Sequence, residues 1–422
     1  MNVRSVMLIA GETSGDLLAA ELVRALRPHF AGQCFPPRFF GAGGGEMEAA
    51  GVEIVEEMTR HAVVGIGDVV RSFARYRRIF HHLLDMVCRR QPELVVLVDF
   101  TGFNRRFAHA LRERIARQSP VFGNWQPRIV QYVSPQVWAS RPGRGRKLAA
   151  DIDLLLCLFS FEQDWYARRV PDLQVEWVGH PICDRHPAQW QALTGDDASD
   201  SGGDRPPLLL LLPGSRRSEL QRHLPVMLEA ARQLGGRKPL RARIVLPGEH
   251  LKALALRIAG TVGARTPAHS RDETTPSRLS LPLGGRGNNL TVDVRVGELA
   301  QSLGEARVAI ASTGTVTLEC ALFGVPTVAL YKTSRLTYQI AKRLVTVDCM
   351  AMPNILAGSR VFPEFIQDAA TPENLANAAL ELLTDDTRRR TVRRALRQLA
   401  QGLGGPGASR RAAAHLGQLV DS

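Results

Sequence analysis

Short apolar runs alternate with amphipathic helical segments along nearly the whole chain, and this alternation limits the fold more than any other feature. Val3–Ala10, Leu94–Asp99, Ile129–Val133, Leu154–Leu158 and Val175–Val178 read as strands, with helical patterns such as Leu17–Leu26, Arg105–Ala116 and Glu162–Arg169 between them. The strands are apolar at consecutive positions, as a parallel sheet covered on both faces by helices requires. The expected class is α/β with doubly wound sheets. From about His186 to Pro207 the chain turns polar and rich in Asp, Ser, Gly and Pro, which reads as a linker. The pattern then restarts, with strands at Leu208–Leu212, Ile244–Leu246, Val308–Ala311 and Thr327–Leu330 and a helix over Glu219–Leu234. The chain is thus expected to hold two Rossmann-like halves, 1–186 and 207–371, joined by a linker at 187–206. Thr261–Asn289 lacks periodicity and reads as a mobile insertion, and 372–422 as a helical tail rich in Ala and Arg. Ligands of such sheets bind at the carboxyl ends of strands, so the expected site is a cleft between the halves.

Charge narrows the partners. Lys and Arg number 54 against 41 Asp and Glu, a formal net charge of +13. A surplus of that size points to nucleic acid, an acidic membrane surface or a phosphorylated substrate. No zinc spacing, aromatic RNA-binding motif or helix-turn-helix supports nucleic acid. Only five of the basic residues are Lys, a skew that base composition explains without function. The six cysteines form no CxxC pair, so neither a disulfide framework nor a zinc site is expected, and a reduced cytoplasmic setting fits. No apolar run approaches the ~20 residues that span a bilayer, and the features of a signal peptide are missing. Membrane contact, if any, is expected from the side. Asp68–Arg90 carries Val69, Val70, Phe73, Ile79, Phe80, Leu83, Leu84 and Val87 at helical spacing among arginines. That stripe suits either a membrane interface or the core side of an α/β layer.

Six loops carry residue types suited to chemistry. Gly11–Asp16, after the first strand, has glycines for a tight turn and Thr13, Ser14 and Asp16 as helix caps. Phe40–Met47 holds three consecutive glycines near a helix start, a ready anion site. Asp99 ends an apolar strand, where desolvation raises a carboxyl pKa and makes a general base; the bland alternative is a helix cap. Tyr132–Lys147 combines Ser134, Gln136 and Trp138 with Arg141, Arg144, Arg146 and Lys147, either a phosphate- or headgroup-binding loop or a solvated basic one. In the second half, Gly214, Ser215 and Arg216 follow a strand. An arginine at a helix N-terminus opposes the macrodipole unless an anion sits between, which suggests a diphosphate. Finally, Ser312, Thr313, Gly314 and Thr315 open a helix as a phosphate cradle, with Glu319 one turn on within reach of a ribose. Asp151 and Asp153 form a DxD string, but it precedes the apolar run instead of following it and reads as a helix-to-strand junction. His180 stands at a strand end, either lining the cleft or packing.

Taken together and in this order, "GETSGD", "VVGIGDV", "YVSPQVWA", "FEQDWY", "VGHP", "LLPGSR", "STGTVTLE" and "MPNILAG" resemble the lipid-A-disaccharide synthase family, glycosyltransferases of the GT-B fold, over about residues 8–375. The resemblance implies transfer of 2,3-diacylglucosamine from its UDP donor to 2,3-diacylglucosamine 1-phosphate (lipid X). The products would be the β(1→6) lipid A disaccharide 1-phosphate and UDP, with inversion at the anomeric carbon. It further implies no metal and no other cofactor, and a peripheral position on the inner face of the cytoplasmic membrane. Within that reaction Asp99 is the expected base. Arg216 and Thr313-Gly314-Thr315 would stabilise the leaving UDP, and Glu319 would hold the ribose. Glu12, Ser14, Asp16, Asn104, Ser215 and Asn354 would complete the substrate contacts. The family loop usually reads Asp-Ala-Pro-Asp-Phe-Asn; here it is Asp99-Phe100-Thr101-Gly102-Phe103-Asn104, so its second carboxylate is lost. The tail either returns to the first domain or is exchanged with a second subunit in a homodimer. Two other readings stay open on the sequence: a different GT-B enzyme such as a UDP-GlcNAc transferase or epimerase, and a non-enzymatic binder of anions.

Overall fold

A computed structural model describes residues 5–31, 36–59, 66–117, 125–140, 143–195, 206–264, 277–283, 289–335, 338–339 and 349–421, with backbone alone at 66–73, 140, 144, 277 and 421. The chain forms two compact units, Met1–Arg185 with Gly402–Ser422, and His186–Gln401.

The first unit runs β1 (Ser5–Ala10), α1 (Thr13–Leu26), β2 (Arg38–Gly43), α2 (Gly45–Ala49), β3 (Glu53–Glu57), α3 (Ile66–Arg90), β4 (Leu94–Val98), α4 (Thr101–Ala116), β5 (Arg128–Tyr132), α5 (Val137–Ser140), α6 (Arg144–Ala149), β6 (Leu154–Cys157), α7 (Ser160–Arg169), β7 (Gln174–Trp177) and α8 (Ile182–Arg185). Its seven strands are all parallel, in the order β3-β2-β1-β4-β5-β6-β7. Val6–Ala10 and all of β4 are buried, which explains their unbroken apolar sequence. Each such Val, Leu or Ile contributes roughly 1.5–3 kcal/mol on burial. The stripe on α3 faces this core through Ile79, Leu83, Leu84 and Val87, and Arg77 and Arg78 stay exposed. Of the two uses open to that helix, its described part serves packing. Val69, Val70, Arg71 and Phe73 lie outside the described side chains.

The second unit begins with a helix inside the expected linker, α9 (Pro187–Thr194), while residues 196–205 lie outside the described ones. Proline at its start supplies a fixed φ where no donor is needed. There follow β8 (Leu208–Leu212), α10 (Arg217–Gly235), β9 (Arg241–Leu246), α11 (Lys252–Thr261), β10 (Ser277–Pro282), β11 (Asn289–Val296), α12 (Leu299–Glu305), β12 (Ala306–Ser312), α13 (Thr315–Leu322) and β13 (Thr327–Tyr331). Helix Met352–Ala357, strand Glu364–Ile366 and helices Pro372–Thr384 and Asp386–Gly402 close the unit. Its sheet is parallel from β11 to Glu364–Ile366 in the order β11-β9-β8-β12-β13-(Glu364–Ile366), with β10 antiparallel at the β11 edge. The expected insertion is therefore partly strand: Leu279 and Leu281 are buried and alternate with polar neighbours, a two-residue period too short to stand out. Residues 265–276 and 284–288 lie outside the described ones. The expected tail is likewise divided. Its first two helices belong to the second unit, and the last, Ala408–Asp421, packs on α1 of the first. Asp184 accepts hydrogen bonds from the amides of Gly407, Ala408 and Ser409 at that helix start, which fixes the return of the chain.

Candidate active site

In the first sheet the strand order reverses beside β1 and β4, so the loops after these strands diverge and leave a crevice. Asp99 lies there. Its backbone has φ 48°, and Phe100 follows at φ 40°. Two consecutive non-glycine residues in the left-handed region cost of order 1–3 kcal/mol each and persist only where the surroundings enforce them. Here they do. The Asp99 amide donates to Tyr132 O at 2.9 Å, and the Asp99 carbonyl accepts from Asn104 Nδ2 at 3.0 Å and Gln131 Nε2 at 3.2 Å. Asn104 also donates to Val98 O and Ile9 O at 3.2 and 3.4 Å, tying the ends of β4 and β1 together. Burial pushes the Asp99 carboxyl above its ordinary value, and the nearby Glu12 charge pushes it further. A half-buried carboxyl so placed is suited to proton transfer. Gln131, a polar residue inside a buried strand, is a positioning group that sequence reasoning missed; "IVQYV" carried the signal.

Glu12 and Ser14 are exposed at the start of α1, which has no side-chain cap. Asp16 is different. It is buried, and its carboxylate accepts from the amides of Gly44, Glu46 and Met47 at 2.8, 3.0 and 3.2 Å. Asp16 is therefore committed to the protein instead of a substrate, and the anion site expected at Phe40–Met47 is filled by this internal carboxylate. Asn104 is likewise buried and acts through Asp99.

After β5, Val133 adopts φ 75°, an uncommon state for a β-branched residue. Gln136 is exposed and Trp138 half-buried, whereas Ser134 is buried against Tyr166 at 3.4 Å. Trp138 Nε1 donates to Glu162 Oε1 at 3.0 Å. Glu162 is buried and pushed up to about 7 by desolvation, opposed by hydrogen bonds from Trp138, Phe159 and Ser134. Sequence reasoning did not single it out, although it stands in "FEQDWY". His180 is buried, accepts from the Ile182 amide at 3.1 Å and is held down to about 3 by burial. Packing accounts for it. Asp151 meets His109 at 2.9 Å and Asp153 meets Arg112 at 2.6 Å, so both carboxylates of the DxD string have protein partners. Arg141 lies outside the described residues, and Arg146 and Lys147 are exposed.

In the second sheet the order reverses beside β8 and β12. Ser215 and Arg216 follow β8 through Gly214, whose φ of 115° suits glycine. Both residues are exposed, and both amides donate to Glu219 Oε2, at 3.0 and 3.2 Å; Arg216 Nη1 reaches Oε1 at 3.4 Å. The anion that an N-terminal arginine calls for is thus partly supplied by Glu219. Buried His223 braces this loop, with Nδ1 donating to Pro213 O at 2.8 Å and Nε2 accepting from the Lys332 amide at 3.1 Å. After β12, Gly314 and Thr315 are exposed, Thr313 and Glu319 half-buried, and α13 has no side-chain cap. A β-carbon at Gly314 would meet nothing within 4 Å. Asn354 is buried, exchanging hydrogen bonds with Phe362 and donating to Glu364.

Among the described residues the helix starts at the switch points without a side-chain cap are those of α1 and α4 in the first unit and α13 in the second, whereas the starts of α2 and α10 are closed by the chain's own carboxylates. A calicheamicin glycosyltransferase of solved structure matches 99% of this chain and 98% of its own length with TM-score 0.55 at 16% identity, and the fold is GT-B. The lipid-A-disaccharide synthase of Geobacter sulfurreducens is 37% identical over 97% of this chain and 95% of its own. That of Trichlorobacter lovleyi is 35% identical over 99% and 98%. The lipid-A-disaccharide synthetase family pattern itself fits residues 6–254 and 286–416, which take in every loop of both switch points, and the chain belongs to that family.

Proposed function

We propose that this lipid-A-disaccharide synthase works by a single in-line displacement with Asp99 as base. The 6-hydroxyl oxygen of lipid X attacks C1 of UDP-2,3-diacylglucosamine. Its proton passes to Asp99, the bond from C1 to the diphosphate oxygen breaks, and UDP departs with the configuration at C1 inverted. The observation that carries this is the held, strained Asp99 at the switch point, with its carboxyl raised above its ordinary value by burial and by the Glu12 charge. Developing charge on UDP is stabilised by the open start of α13 at Gly314-Thr315 and by Arg216. Glu319 would take the ribose, and Glu12 and Ser14 the sugar or phosphate near α1. The chain's own groups supply acid–base and electrostatic catalysis in this scheme without a metal.

The protein also binds the anionic inner face of the cytoplasmic membrane from the side. Among the described residues no helix is long and apolar enough to cross a membrane. Arg77 and Arg78 on α3 and Arg146 and Lys147 on α6 are exposed on the first unit, each worth about 1 kcal/mol beside anionic lipid. Cosedimentation with vesicles containing phosphatidylglycerol should weaken when Arg77 and Arg78 are neutralised; unchanged binding removes these residues from the account. The chemistry is tested with radiolabelled donor and lipid X. Labelled disaccharide 1-phosphate and UDP in equal amounts support the reaction, and product formation by Asp99→Asn at the native rate overturns the base.

A further inference from the structure

Glu162 is a buried carboxyl that the displacement does not use. Its oxygens are divided between two elements, Oε1 accepting from the Trp138 indole N–H at 3.0 Å and Oε2 from the Phe159 amide at 3.2 Å. The Trp138 ring meets Phe161 edge-on at 5.0 Å, and Phe161 stacks on Phe159 at 6.0 Å. The loop after β5 is thereby fastened to the start of α7. Burying an acid is costly, and an amide of the same shape would cap the helix, so helix capping alone does not account for a carboxyl here.

We propose that Glu162 is a positioning residue for the acceptor: its carboxylate latches the Trp138 indole and so holds the loop that presents Gln136 and the open side of Trp138. This rests on the proposed transfer to lipid X and on taking the loop after β5, one of whose two readings from sequence is a phosphate- or headgroup-binding loop, as the part that meets that acceptor. The groups facing Glu162 are Ser134 and Trp138 from that loop, Cys157 at the end of β6 and Tyr166 on its own helix. Burial keeps the Cys157 thiol and Tyr166 hydroxyl protonated, and His180 behind Phe159 stays neutral. All are uncharged at neutral pH, so the charge there follows the proton on Glu162 itself. A charge-assisted hydrogen bond is roughly twice as strong as a neutral one, so proton uptake loosens the indole.

The test uses the full-length enzyme. Glu162→Gln should raise the KM for lipid X about three- to tenfold at pH 8, with kcat and the donor KM within about twofold. Trp138→Phe keeps the ring and removes the N–H, and should give the same shift; the double variant should be no worse than either single one. Wild-type fluorescence attributable to Trp138, isolated by difference from Trp138→Phe, should step over roughly pH 6–8, and Glu162→Gln should lack the step. An unchanged acceptor KM in Trp138→Phe, or no fluorescence step in the wild type, overturns the latch even if Glu162→Gln fails to fold. Gln136→Ala separates the two layers. A raised acceptor KM there with none in Trp138→Phe refutes the latch alone, and no change there refutes the acceptor reading and the latch with it.

Discussion

The side-chain amide of Asn104, fully buried, donates to the carbonyl oxygen of Asp99 at 3.0 Å. The same nitrogen reaches Val98 O and Ile9 O, so one residue in the first turn of α4 fixes both strand ends from which the crevice opens. The proposed base is held through its backbone, and its carboxyl also accepts from the Phe100 amide, which partly offsets the rise caused by burial and Glu12.

Removing that clamp should be felt twice. Asn104→Ala leaves buried carbonyls with fewer donors and should cost about 1–3 kcal/mol of stability. Because the left-handed turn at Asp99 then relaxes, kcat should fall roughly tenfold, about 1.4 kcal/mol, in protein that is still folded. Denaturant unfolding and steady-state kinetics measure the two effects; a stability loss with native kcat would confine Asn104 to packing.

Asp99→Asn should lower kcat at least ~10²-fold. It should also change how stability depends on pH. The folded Asp99 carboxyl lies above its ordinary value, so within that window the folded state binds more protons than the unfolded one. Stability of the wild type then falls as pH rises through the folded pKa, and is fully present below the unfolded value. The asparagine variant lacks this loss, so it should be the more stable protein at pH 8 and lose that advantage in acid. Equal stability of the two proteins at both pH values would show that Asp99 is not raised.

Glu12 provides an independent handle. It is exposed, and its charge is the second cause, after burial, of the rise at Asp99. Glu12→Gln should move the acid limb of kcat/KM to lower pH. Added salt should move the wild-type limb in the same direction and the variant's less, because an exposed charge is screened. A limb that stays in place in Glu12→Gln would separate the two carboxylates.

Much of this arrangement was legible in the sequence, because it rests on patterns with a physical period. Unbroken apolar runs gave β1, β4 and β8 within a residue or two, since buried parallel strands need apolar side chains on both faces. Strand β2 was hidden because "RFFGAG" looks like a loop until its glycines are seen to sit inside a sheet. The orientation of single polar side chains in the candidate loops was not legible. Asp16, Asn104 and Asn354 are all buried and bonded to backbone or to neighbouring side chains. Which way a polar side chain turns at a strand end depends on partners 28 to 31 residues away, as between Asp16 and the amides of α2, and no local pattern carries that.

Phe100 stands where the resemblance to the family loop implies alanine. A β-carbon on Gly11 would lie 2.2 Å from the Phe100 ring, so the two positions are coupled. Gly11→Ala should destabilise by about 1–3 kcal/mol through overpacking and lower kcat by moving the Asp99–Phe100 turn. Phe100→Ala opens the space, so the double variant should recover most of both losses. Additive losses in the double-mutant cycle would mean that Gly11 is needed for its backbone alone.

The last expectation concerns UDP in the second unit, where two helix starts differ. That of α10 already carries Glu219 on the amides of Ser215 and Arg216, and that of α13 is open at Gly314 and Thr315. A diphosphate should therefore gain more from α13 than from α10. Thr315→Val, which keeps the side-chain shape and removes the hydroxyl at the open start, should weaken UDP binding about tenfold by calorimetry, and Arg216→Ala should weaken it by a smaller factor, since that exposed arginine is partly neutralised by Glu219. Glu219→Gln removes the competing charge but keeps an oxygen for the cap, and should tighten UDP while costing about 0.3–1 kcal/mol of stability as a charge lost from the helix start. If Glu219→Gln weakens UDP instead, the carboxylate shapes the loop for the diphosphate more than it competes with it.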